Sequence, residues 1–209
     1  MSLTRPFPVA PPTIQIEELP RKRIPEAARV LARAFVSNPL HVATFGPEAL
    51  AANETFFRAA LAVLKGPKWI ATAGGEIRGF NHWVDSGACQ LPWWEQIALT
   101  PLLLRLGYPA APRVLRWQSA WAARDPHRAH VHLGPIGVAP EAQSTGIGRA
   151  LMARYCAELD RSGASGYLET DRQENVAFYR RFGFETTSEA KVLGVDCTFM
   201  WRPARPAAP

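Results

Sequence analysis

Apolar and polar residues alternate through Thr13-Ile14-Gln15-Ile16-Glu17, the period of a half-buried strand. The period then lengthens. Ala28, Leu31, Ala32 and Phe35 recur at helical spacing, and Pro25 suits a first turn, so a helix is expected over 25–35. Phe56, Phe57, Ala60, Leu61 and Leu64 predict a second helix over about 47–64, ended by Gly66-Pro67. Trp69 to Ala73 and Ile77 to Val84 flank Gly74-Gly75 and read as a hairpin. Further strands are expected at 130–138, 166–170, 184–187 and 195–201, with helices at 148–160 and 174–182. Asp171 and Glu174 stand at capping-box spacing before the last helix, and Gly183 follows where a left-handed cap is wanted.

Residues 85–129 break this rhythm. They hold Trp93, Trp94, Trp117 and Trp121, the run Leu102-Leu103-Leu104, and prolines at 92, 101, 109 and 112. A bare loop of that length is improbable, so short helices inserted between strands are expected, packing on the sheet or walling a pocket. The proline-rich 1–12 predict a disordered lead and 203–209 a flexible tail, leaving 13–202 as one domain. The fold class is mixed α/β: a central twisted sheet of about six or seven strands flanked by helices, with a helical insertion before the fourth strand.

Composition narrows the function classes. The 209 residues are 47% hydrophobic and 20% charged, as in an ordinary soluble protein, and no apolar run approaches the ~20 residues that span a bilayer. The proline-rich start does not read as a signal peptide, and a cytoplasmic location is expected. Three widely spaced cysteines argue against a disulfide framework or a zinc site, so no metal is expected. Cys156 shares a helix face with Met152 and Leu159 and reads as core filling. The net charge of +6 would attract an anionic ligand. Only Arg21-Lys22-Arg23 clusters, which argues against a nucleic-acid partner.

The candidate chemistry lies in Ile136 to Leu151. A β-branched strand breaks at Pro140, passes through Gln143-Ser144-Thr145-Gly146-Ile147-Gly148 and enters the helix expected from Gly148. Outward N–H groups at such a helix start suit a diphosphate. The loop is not a P-loop, because it has no lysine and the wrong glycine spacing. Nor is it a dinucleotide fingerprint, since Leu151 stands where a small residue must let the helix pack. Pro135 and Gly137 inside the preceding strand predict a bulge, which frees N–H and C=O groups for an extended amide-bearing ligand.

The glycine loop (Gln or Arg, two residues, Gly, one residue, Gly or Ala) resembles the coenzyme A diphosphate loop of the GNAT superfamily of acyl-CoA N-acyltransferases. Asn175-Val176-Ala177-Phe178-Tyr179-Arg180-Arg181-Phe182-Gly183-Phe184 resembles that family's C-terminal signature. The resemblance implies acetyl-CoA as cofactor, its diphosphate held by Gln143, Ser144, Thr145, Gly146, Ile147, Gly148 and Arg149. It implies that Ile136, Gly137, Val138, Asn175 and Phe178 contact the cofactor, that the Val138 N–H faces the oxyanion, and that Tyr179 protonates the leaving thiolate. Some members use a fourth-strand glutamate as base. Here that position falls on Gly134, leaving Glu169 and His132 as candidates, Glu169 ranked first. The inserted helices and Leu168-Glu169-Thr170 are similar to the puromycin N-acetyltransferase group. The expected function is acetyl transfer to a primary amine of a small molecule by direct attack in a ternary complex. A protein or peptide amine acceptor, or a non-catalytic acyl-CoA sensor, stay open as alternatives. The expected assembly is a monomer or homodimer.

Overall fold

A computed structural model describes residues 13–89 and 99–205. The expected lead over 1–12, Pro92, Trp93, Trp94 and the last four residues of the tail lie outside the described residues. Strands β1 (Gln15–Glu18), β2 (Lys68–Ala73), β3 (Glu76–Asp85), β4 (Val131–Leu133), β5 (Gly137–Val138), β6 (Gly166–Thr170), β7 (Glu185–Val192) and β8 (Val195–Arg202) form one sheet. Its order is β1-β2-β3-β4-β6-β8-β7, with β5 also on β3. Among the described residues β4–β6 is the one parallel pairing, and the others are antiparallel.

Helix α1 (Ile24–Phe35) has Pro25 in its first turn and buries Ala27, Ala28, Leu31 and Ala32. It packs on α3 (Leu50–Val63), β3 and β5. On the opposite face, α6 (Ile147–Ser162) buries Ile147, Leu151, Met152, Tyr155, Cys156 and Leu159, the stripe that a 3.6-residue period dictates. Cys156 is core filling, as its spacing suggests. Gly79 decides where α6 begins: a Cβ there would lie 2.6 Å from Ile147 Cγ2, so only glycine lets the helix start rest directly on β3.

The expected strand over 130–138 is two strands, β4 and β5, which is why the sheet has eight segments where six or seven were expected. Four steps from Leu133 to Gly137 run against three on the partner, from Trp83 to Phe80. The extra residue is the bulge predicted from Pro135. It also reverses the alternation of faces. Leu133 packs with the α6 side, whereas a Cβ on Gly137 would meet Leu31, Ala34 and Phe35 of α1 or its end.

Two helical expectations are corrected. The stretch over 47–64 is helical only from Leu50, because Gly46 and Glu48 adopt positive φ of 94° and 54°. Before it lies α2 (Pro39–Phe45), too short for its periodicity to register. Asp171 does not cap the helix after it. It caps α2 across the fold, accepting the Leu40 N–H at 2.7 Å and the Asn38 amide at 2.8 Å. The following helix, α7 (Gln173–Arg180), starts without a side-chain cap, and Glu174 pairs with Arg172. Gly183 is left-handed, as expected, at φ 86°. The strand expected at 184–187 continues to Val192 in the β7–β8 hairpin.

The insertion before β4 contains α4 (Thr100–Leu106) and α5 (Ala110–Ala122). It does both things expected of it. Trp117 joins Leu40, Tyr167, Phe199 and Trp201 in a core on the sheet, while Leu102 and Val114 line a cavity. No helix among the described residues is long and apolar enough to cross a membrane.

Candidate active site

β4 meets β6 at only two register positions, Val131 opposite Gly166 and His132 opposite Tyr167. Beyond them the strands part. Leu168 to Thr170 keep β8 on one side, and β5 pairs only with β3. The bulge aims backbone groups into this opening. The Ala139 N–H donates to the Arg78 carbonyl at 2.8 Å. Antiparallel bonding alternates, so Val138, opposite Gly79, sits at a non-bonded position with its N–H turned away from β3.

The chain then makes a short 3-10 turn (Pro140–Ala142) and the exposed loop Gln143, Ser144, Thr145 and Gly146. Gln143 Nε2 donates to the Val138 carbonyl at 3.3 Å, and Thr145 Oγ1 to the Ala142 carbonyl at 2.7 Å. Gly146 has φ 92°, and the space beside its Cα is open. The first helical bond of α6 is Ala150 N–H to the Gly146 carbonyl. The N–H groups of Ile147, Gly148 and Arg149 therefore have no acceptor within the helix. The ideal Cβ position of Gly148 is 3.7 Å from Val138 and 3.8 Å from Phe178, so β5, the start of α6 and α7 converge on one spot.

On α7, Asn175 and Phe178 are half-buried and Tyr179 is buried. Burial, with a smaller contribution from Asp171, pushes the Tyr179 phenol well above its ordinary pKa and keeps its proton on.

Glu169 and His132 project from β6 and β4 onto the insertion side of the sheet. His132 Nε2 lies 2.7 Å from Glu169 Oε2. The Glu169 side chain is 2% exposed, and its Oε1 is buried with no hydrogen-bond partner among the described residues. Burial disfavours charge on His132, but the Glu169 carboxylate and the Cys89 side chain prevail and raise it to about 10. His82 fills the space beside Gly134: a Cβ on Gly134 would lie 2.4 Å from His82 Nδ1. A side chain where the family-like glutamate would be therefore requires His82 to move.

His132 and Glu169 line a cavity of about 350 Å³ together with Cys89, Asp125 and mostly apolar residues of α3, α4 and α5. Sequence reasoning missed Cys89, Asp125 and His130, which gather around His132 within 4.8 Å of one another. One signal was available: His130-Val131-His132 alternates, which puts both imidazoles on one sheet face. Burial works against the Cys89 thiolate, but the adjacent His130 and His132 imidazoles lower its pKa.

Comparison with known proteins places this geometry. Residues 116–186 match the Acetyltransferase (GNAT) domain family. A mycothiol acetyltransferase of Pseudarthrobacter chlorophenolicus is 36% identical over 97 residues, covering 43% of this chain and 29% of that protein. The chain thus spans less than a third of the length of the curated relatives it matches. A Corynebacterium glutamicum structure described as histone acetyltransferase and related acetyltransferase superposes with TM-score 0.67 at 20% identity, covering 94% of this chain and 98% of that one. A GNAT family acetyltransferase from Brucella melitensis, solved in complex with acetyl-CoA, gives 0.52 at 19% identity, covering 94% and 92%. Residues 116–186 therefore match the GNAT acetyltransferase domain family, and the bulged fourth strand, the parted sheet and the glycine loop stand in a fold shared with solved GNAT acetyltransferases.

Proposed function

We propose that the protein is an acetyl-CoA-dependent N-acetyltransferase acting on a primary amine of a small molecule. The observation that carries this is the bulged strand, whose outward amides lead into a helix start with free N–H groups. On the neighbouring strands His132 and Glu169 line a largely apolar cavity of about 350 Å³. That volume lies within the ~300–1,000 Å³ usual for small-molecule sites.

The loop N–H groups between Ser144 and Arg149 would hold the cofactor diphosphate, with Gln143 bracing the turn. Ile136, Gly137 and Val138 would bond its amide arm, together with Asn175 and Phe178. The acceptor amine enters from the cavity and attacks the thioester carbonyl carbon, and the Val138 N–H stabilises the oxyanion. Glu169 Oε1 takes the amine proton, while His132 holds the carboxylate through Oε2. When the C–S bond breaks, Tyr179, still protonated at neutral pH because its phenol is buried, gives its proton to the leaving thiolate, and solvent restores that proton as Glu169 releases the one taken from the amine. No covalent enzyme intermediate is needed, since holding both substrates in one cleft makes the attack local. A reducing cytoplasm suits Cys89, Cys156 and Cys197, all unpaired.

Calorimetry with coenzyme A and acetyl-CoA, followed by thiol release with an amine panel, tests the proposal. Micromolar cofactor binding with amine-dependent release is expected. Absence of cofactor heat removes it, and tight binding with no release by any amine turns the reading to an acyl-CoA sensor.

A further inference from the structure

Cys89 stands near the start of the insertion, Asp125 just beyond α5, and His130 and His132 on or beside β4. Their Sγ, carboxylate oxygen and ring nitrogens all lie within 4.8 Å of one another. His130 Nε2 is 3.1 Å from Asp125 Oδ1, and His132 Nδ1 is 4.0 Å from the same oxygen. Tetrahedral zinc with bonds of ~2.0–2.3 Å needs ligands about 3.3–3.8 Å apart. The group is close to that already, and tightening by less than an ångström or so completes it.

Hydrogen bonding at the far side of each imidazole points the near side inward. His130 Nδ1 lies 2.8 Å from the Arg128 carbonyl, which can only accept, so Nδ1 carries the proton and Nε2 presents a lone pair to the cluster. His132 Nε2 faces Glu169 in the same way, which turns Nδ1 inward. A carboxylate or carbonyl behind a histidine is the arrangement that orients imidazole on a metal. The His130 side chain is fully buried, and its Nε2 lies 3.1 Å from Asp125 Oδ1 in a geometry that makes no regular hydrogen bond between the two. Sulfur, nitrogen and oxygen donors gathered this closely in the interior suit a shared cation.

We infer that Cys89, Asp125, His130 and His132 form a four-coordinate site for a divalent transition-metal ion, zinc by donor set. Sulfur and imidazole donors disfavour magnesium and calcium, and four protein ligands leave no open position, the mark of a structural site. The ion ties both ends of the insertion to β4 at the floor of the cavity. The inference stands independently of acetyl transfer, because its readout is metal binding.

Demetallated full-length protein is titrated with zinc in chelator competition and with cobalt by absorption spectroscopy. One tightly held equivalent is expected, with intense tetrahedral cobalt bands and a sulfur-to-cobalt charge-transfer band. Cys89→Ser removes the charge-transfer band and lowers zinc affinity ~100-fold or more, given that losing even an outer hydrogen-bonding partner costs ~10–100-fold. Asp125→Asn weakens binding but keeps that band, which guards against a Cys89 variant that fails to fold; circular dichroism checks both. No zinc uptake at micromolar concentration, a weak octahedral cobalt spectrum, or a charge-transfer band that survives Cys89→Ser each overturns the inference.

Discussion

Replacing Glu169 by glutamine isolates the proton acceptor. Glutamine keeps the shape, and its amide oxygen still accepts from His132 Nε2, which lies 2.7 Å from Oε2. What changes is the second oxygen. Oε1, buried and without a partner, becomes an NH2 group that donates where the amine must give up a proton. Loss of a general base costs ~10²–10⁴ in rate, or about 2.7–5.4 kcal/mol at 1.36 kcal/mol per decade. Trading a charged for a neutral hydrogen bond costs about 1 kcal/mol of stability, since charged bonds contribute ~1.5–3 and neutral ones ~0.5–1.5. Thiol release under saturating substrates then falls by two to four decades, while calorimetric affinity for coenzyme A stays within about twofold, because the loop of α6 lies on other elements. Unchanged turnover removes Glu169 from the reaction. An equal loss of cofactor affinity shows that it acts on binding instead.

Further outcomes test the other parts. Gly146→Asp abolishes the coenzyme A heat, since it places a carboxylate in the open space at φ 92° and adds about 1–2 kcal/mol of left-handed strain. Gly146→Ala, with the strain alone, weakens binding less, and equal losses would refute the electrostatic argument. Tyr179→Phe lowers turnover with little change in cofactor affinity, and a variant as fast as the parent excludes the phenol as acid. Asp171→Ala costs ~0.5–2 kcal/mol by uncapping α2, read as a lower urea midpoint; an unchanged midpoint denies the cross-fold cap. His41 and His82 are both depressed to about 4 by burial, below their ~6.5 in the unfolded chain. The unfolded state therefore binds more protons between those values, and stability falls as pH drops from about 6.5 to 4. A urea midpoint that stays level across that window contradicts this.

Much of the fold was legible because it rests on local rules. Gly74-Gly75 joins β2 and β3 as expected, the burial stripe of α6 follows its 3.6-residue period, and Pro135 marks the bulge through its missing N–H. The loop from Gln143 to Gly148 was equally readable, since left-handed geometry at Gly146 and free amides at a helix start are properties of a few consecutive residues.

Side-chain partnerships across the sheet were not readable. Asp171 has the spacing to cap its own helix, but caps α2 because packing brings Asn38 and Leu40 to it first. Glu169 and His132 each looked like a separate base candidate, and the parallel register of β4 and β6 makes them one pair. Cys89 and Asp125 carried no motif, because ligand spacing is visible in a chain only when a local turn delivers the ligands. Here the insertion delivers them from opposite ends, and closing that loop is a tertiary event whose entropy is met by the packing of α5 on the sheet.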